Sequence, residues 1–143
     1  MSFETTVDVS LRPSLRLLQW LSTLHVLPLA LIPFAMQPGV PMALLIAALA
    51  LSWFVLRRHA VFGYGRRALR RLVWQADGRW TVYDASNQPL TAELETGSLR
   101  HPRLLLLLRF RLEGGGHRTR LIGGDEADPE LLRRLRARLS TAD

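Results

Sequence analysis

Four histidines, His25, His59, His101 and His117, are the first side chains to test for chemistry. Zinc-binding imidazoles recur at short helical or hairpin spacings, and these four are too scattered to fit any such motif. Carboxylates gather only at Asp125-Glu126 and Asp128–Glu130, and no Ser-His-Asp set is organised around them by local pattern. Gly114-Gly115-Gly116 is followed by neither a Lys-Ser/Thr pair nor a helix, so it is not a phosphate-cradling loop. Cysteine is absent, which removes disulfides, thiolate metal sites and cysteine nucleophiles and fits a reducing cytoplasmic setting. The expectation is a protein without catalytic residues, metal or cofactor. His25 stands apart because it lies inside an apolar stretch, where an ionisable group is a functional candidate by default. Its structural alternative is a neutral imidazole bonded to a carbonyl freed by Pro28, or to Ser52.

That apolar stretch is the dominant element. Residues 17–56 contain no Asp, Glu, Lys or Arg, and Gln37-Pro38-Gly39-Val40-Pro41 interrupts them near the middle. A bilayer core takes about 20 apolar residues per helix, so the run predicts two membrane helices joined by a turn. The first covers about residues 14–36 and contains Pro28 and Pro33, which should kink it. The second, about 41–56, is short for a span. Six arginines follow it closely (Arg57, Arg58, Arg66, Arg67, Arg70 and Arg71), two precede the first helix (Arg12 and Arg16), and the turn carries none. The positive-inside rule places both termini in the cytoplasm and the Pro-Gly turn on the far side. A cleaved signal peptide over residues 1–35 fits less well, because the apolar stretch is long and Glu4 and Asp8 spoil a basic start.

Beyond the hairpin the period changes to two. Segments near 69–75, 79–83, 90–94, 103–113 and 117–122 predict five antiparallel strands, with turns at Asp77-Gly78, Ser86-Asn87-Gln88 and Gly114-Gly115-Gly116. The fourth is the strongest, with Leu104, Leu106, Leu108, Phe110 and Leu112 on one face. Asp128 then caps a helix that begins with Pro129 and Glu130 and carries a stripe of Leu131, Leu132, Leu135 and Leu139. The expected architecture is a two-helix transmembrane hairpin (15–58) plus a small α+β cytoplasmic domain (66–143). That domain is a five-stranded antiparallel meander, sheet or barrel, with a C-terminal helix. Residues 1–14 form a separate, extended, interfacial N-terminal segment.

The formal charge is +7, and all nineteen basic residues are arginine. Arginine-only usage reflects a GC-rich genome, so no nucleic-acid partner is expected. The six arginines after the hairpin set its orientation and can also meet anionic lipid, each contributing about 1 kcal/mol near the leaflet. Candidate partner-binding residues are Asp125, Asp128, Arg133, Arg134 and Arg136, where both signs of charge meet at a helix start. Trp80, beside a β-turn, is either a core residue or a binding anchor.

Two resemblances follow. Gly123-Gly124-Asp125-Glu126 is superficially similar to the signature of diguanylate cyclases, but Ala127 follows and the domain is far too short for that fold. Over nearly its whole length the chain resembles the bacterial YgfX family, also called CptA-type membrane toxins. The matching pieces are Leu11-Arg12-Pro13-Ser14, His25, the helical hairpin, Asp77-Gly78-Arg79-Trp80, and Asp125-Glu126-Ala127-Asp128-Pro129-Glu130 leading to Arg133-Arg134-Leu135-Arg136. The resemblance implies an inner-membrane protein of a toxin–antitoxin pair that inhibits polymerisation of tubulin-like and actin-like bacterial cytoskeletal proteins. It also implies a small helical partner, described as antitoxin or as the flavinylation factor of succinate dehydrogenase. The alternative expectation is a scaffold or assembly subunit of a membrane complex, respiratory complexes included.

Overall fold

The computed structural model describes residues 6–96, 99–100 (backbone only) and 105–141. Two antiparallel-connected helices come early: α1 spans Leu15–Ala35 and α2 spans Val40–Leu56. At a rise of 1.5 Å per residue they are about 31 and 26 Å long. Among the described residues only α1 is both long and apolar enough to cross a membrane; α2 is a shorter apolar helix. Pro28 and Pro33 lie inside α1, which runs unbroken through both. Their missing N–H groups leave carbonyls unpaired without ending the helix.

The hairpin turns its apolar side chains outward. Trp20, Leu24, Leu27, Phe34, Val40, Leu44 and Leu51 are all exposed, Phe34 by 89%, and α2 buries no residue at all. An exposed helix surface this rich in large apolar side chains is suited to lipid. Between the helices the contacts are polar: His25 Nε2 meets Ser52 Oγ at 3.2 Å, and Trp53 Nε1 donates to Ser22 Oγ at 3.3 Å.

The remainder is a curled antiparallel sheet. Its strands are β1 (Val7–Ser10), β2 (Arg71–Trp74), β3 (Trp80–Tyr83), β4 (Pro89–Leu94), β5 (Leu99–Arg100), β6 (Leu106–Leu112) and β7 (His117–Ile122). β1 pairs with β2, β2 with β3, β3 with β4, and β4 with β6, which carries β7 on its other edge. β4 and β5 pair with successive parts of the same edge of β6, and the register shifts by two residues between them. Leu94 faces Phe110, whereas Leu99 faces Leu107.

Five strands were expected, and seven form among the described residues. The additions are β5 and β1, and β1 changes the domain boundary. The first fourteen residues, set apart in the sequence as a separate segment, supply an edge strand whose Val9 is fully buried. Alternating Val7, Val9 and Leu11 suits a strand, and the partner that pulls them in lies some sixty residues downstream. The bidentate Arg71–Asp8 pair clips the same edge from outside.

The core holds Leu72, Trp74, Trp80, Val82, Leu106, Leu108, Phe110, Leu112 and Ile122 from the sheet. Helix α3 (Pro129–Thr141) adds Leu132, Leu135 and Leu139. The leucine face expected on the fourth strand is present from Leu106 to Leu112; Leu104 and His101 lie outside the described residues. The β2–β3 turn forms as its Asp77-Gly78 pair predicts. Gly78 takes φ +87°, and Asp77 Oδ1 accepts from the Arg79 N–H at 3.1 Å.

Candidate functional site

The residues that fasten the hairpin to the β-domain are mostly ones whose position the sequence leaves unmarked. Ser14 is the N-cap of α1 and is fully buried. Its Oγ accepts from the Leu17 N–H at 3.0 Å and donates to Asp125 Oδ1 at 2.5 Å. The other carboxylate oxygen of Asp125 accepts from the Arg16 N–H at 2.9 Å. A side chain 109 residues away thus joins the cap of an apolar helix, where a negative charge also opposes the helix dipole favourably. Burial alone would raise the Asp125 pKa. The Ser14 hydroxyl and the Arg16 N–H outweigh it and hold the carboxyl below its ordinary value.

Beside this cap, Arg120 and Glu126 are both fully buried. Glu126 closes back on its own turn, accepting from the Gly123 N–H at 2.7 Å and the Gly124 N–H at 2.8 Å. The Gly-Gly-Asp-Glu string is therefore a strand end leading into α3, as its length argued. Arg120 Nη2 donates to the Arg12 carbonyl at 2.8 Å. Burial lowers the Arg120 pKa, and the charge of Glu126 opposes that shift. Gly63 lies against the same guanidinium at φ +90°; an added Cβ would sit 1.8 Å from Nη1. Gly123 meets Leu17 of α1 in the same way, with 3.2 Å to an added Cβ. The segments entering and leaving the hairpin and the turn before α3 therefore converge on one buried arginine.

Asp125, proposed from sequence as a partner contact, belongs to this junction. Asp128 caps α3, its Oδ1 accepting from the Glu130 N–H at 2.8 Å. Arg133 and Arg134 are exposed on α3 and both pair with Glu130, at 2.8 and 3.1 Å. Those two guanidiniums pull the Glu130 carboxyl down to about 2. Arg136 is half-buried, with its Nε buried and unbonded among the described residues, so it is not part of an open basic face. Trp80 is 3% exposed, stacked on Trp74 at 4.6 Å and edge-on to Phe110 at 5.2 Å. It is a core residue and not a surface anchor, because β3 points it inward beside Val82.

The six post-hairpin arginines divide. Arg57 and Arg58 lie over Trp53 and Phe54 at 4.2–4.9 Å, a cation–π collar at the end of α2. Arg66 and Arg67 are exposed on the loop that follows. Arg70 is half-buried beside Arg120, and Arg71 is committed to Asp8. The first four lie at the end of α2 and on the loop after it; the last two serve the sheet. Sequence reasoning gave no place to Arg138, whose guanidinium stacks on Trp74 at 4.3 Å and donates to the Gln75 carbonyl at 2.8 Å.

His25 is 8% exposed. Its Nδ1 is 2.8 Å from the Leu21 carbonyl and must donate there, which leaves Nε2 to accept from Ser52. The carbonyl is that of Leu21 and not one freed by Pro28, while the expected Ser52 partner is present. His59 Nδ1 accepts from the Val61 N–H at 3.3 Å, and His117 Nδ1 lies 2.9 Å from Glu95. Among the described residues no three His, Cys, Asp or Glu side chains are grouped to hold a metal ion.

The chain matches no protein-family model, no curated protein and no solved structure. Its chemistry is read from its own geometry. One part of the molecule is the apolar hairpin with its arginine collar. The other is a small β-domain locked to that hairpin by buried hydrogen bonds.

Proposed function

We propose that this chain is a bacterial inner-membrane protein that crosses the bilayer through both α1 and α2, with both termini cytoplasmic. In this reading the β-domain acts by binding proteins and carries no catalytic centre. The observation that carries the proposal is the junction. Ser14, Asp125, Arg120 and Arg12 join the β-domain to a hairpin whose outer surface is largely apolar. A domain held this way is confined to the leaflet and fixed in orientation, which raises its effective concentration toward membrane-associated partners. At about 26 Å, α2 spans by modest local thinning or by snorkelling of Arg57 and Arg58.

The specific activity is that of the YgfX family: a toxin-like inhibitor of tubulin-like and actin-like cytoskeletal filaments, opposed by a small helical partner. Sequestration would suffice, since a tethered domain need only occupy a surface that filament subunits use. The test is crosslinked capture at native expression level, with cell shape scored on overproduction. Filamentous or swollen cells, with cytoskeletal subunits among the captured proteins, are expected. Stoichiometric copurification with a respiratory complex and normal cell shape would replace this reading with the assembly-subunit one.

A further inference from the structure

The two hairpin tips, residues 75–79 and 113–116, stand with the end of β4 and the last turn of α3 around an open cleft of about 1010 Å³. None of its lining residues belongs to the membrane junction. Trp74, Trp80, Leu112 and Leu139 give it an apolar floor. Its rim holds four carboxylates, Asp77, Glu93, Glu95 and Glu113, against two guanidiniums, Arg79 and Arg111, in a chain of formal charge +7. A third of the twelve acidic residues are thus collected at one opening.

These carboxylates are only partly spent. Asp77 pairs with Arg79 and Glu93 with Arg111, each at 2.6 Å and each between exposed side chains. Exposed pairs of this kind are weak, so an incoming cation can share Asp77 and Glu93. Glu95 meets His117 and Arg109. Glu113 carries no ion pair among the described residues.

We propose that this cleft docks an extended basic segment of a partner protein, one that alternates arginine or lysine with apolar side chains. In an extended segment alternate residues point opposite ways, so one set can face the tryptophan floor while the other reaches the carboxylate rim. A second copy of the chain is a poorer occupant: its exposed Arg133 and Arg134 lie on a helix and are held by Glu130. The inference deepens the binding reading and rests on it.

The test uses the full chain in phosphatidylcholine nanodiscs, which offer no anionic lipid. The probes are a fluorescent peptide of four Arg-Leu repeats and its Glu-Leu counterpart. Saturable binding of the Arg-Leu peptide is expected, with little or none of the other. Glu93→Gln with Glu113→Gln should weaken it about tenfold or more, and Arg133→Gln with Arg134→Gln should leave it unchanged. Both glutamates are exposed, and circular dichroism confirms that the variants fold. Equal binding of the two peptides, or indifference to the glutamate substitutions, overturns the proposal. Self-association lost in the glutamate variant would make the cleft a self-interface and overturn it too. Partner capture that survives in that variant, with no Arg-Leu binding by the parent, would remove the cleft and leave the binding reading standing.

Discussion

Gly63 and Arg120 show how a single position can govern the junction. At φ +90° any residue but glycine is strained, and here the space a Cβ would need is already filled by the guanidinium. Gly63→Ala should cost over 2 kcal/mol by thermal unfolding in detergent, since Arg120 must leave the Arg12 carbonyl to make room. Gly78→Ala is the internal control, because Gly78 has φ +87° but nothing within 4 Å of an added Cβ. It should cost only the strain of the backbone, about 1 kcal/mol. Equal losses at the two sites would mean that the contact with Arg120 contributes nothing. Asp125 gives a second residue-scale expectation. Its folded pKa lies below the ordinary aspartate value of 3.8, so its contribution is present above about pH 3.8 and disappears as pH falls through the folded value. Asp8, lowered by the Arg71 hydrogen bond, titrates in the same direction. Asp125→Asn should therefore flatten part of the acid limb of a stability–pH profile, and an unchanged limb would count against the Ser14–Asp125 tie.

Strand β6 shows what the sequence makes legible about an element. Leu106, Leu108, Phe110 and Leu112 alternate with exposed Arg109 and Arg111, and a period of two specifies a strand with one buried face. Leu108→Ala, at a site with no exposure, should lose about 2–5 kcal/mol in denaturant melts. Leu105, just before the strand and 37% exposed, should tolerate the same change with a far smaller loss. Helix α3 was equally readable from its cap and leucine stripe. Its Glu130 should titrate near 2 when followed by NMR, and Arg133→Gln with Arg134→Gln should return it toward 4.5. What stayed hidden depends on distant partners. β1 has the right alternation, but nothing local says that it pairs with Arg71–Trp74. Arg120 did carry a signal: it shares the inward face of β7 with Ile122, two residues on. A charged side chain on a buried face is readable as an anomaly, whereas its use as a junction depends on where Arg12 and Gly63 come to rest.

At the scale of the whole molecule, the hairpin and the β-domain make opposite demands on solvent, and the proposed orientation rests on the arginine distribution. Arg57, Arg58, Arg66 and Arg67 gather at the end of α2, Arg12 and Arg16 lie just before α1, and residues 37–41 between the helices carry no charge. Because the chain has no cysteine, a single introduced one reports its side of the membrane without interference. Gly39 is a suitable site: its φ of 170° is extended, and an added Cβ would meet only Pro41 Cδ at an ordinary 3.7 Å. Ser140, exposed in the last turn of α3, is the second. A membrane-impermeant maleimide applied to cells with a permeable outer membrane should label Gly39→Cys readily. Ser140→Cys should react only after the inner membrane is opened. Two crossings and the positive-inside rule together require this pattern. Labelling of both sites on the outside would point to a single crossing or none, and labelling of Ser140→Cys alone would invert the topology. Protection of both sites until lysis would mean that α2 returns without reaching the far side, leaving α1 and α2 as a re-entrant hairpin that anchors the β-domain from one leaflet.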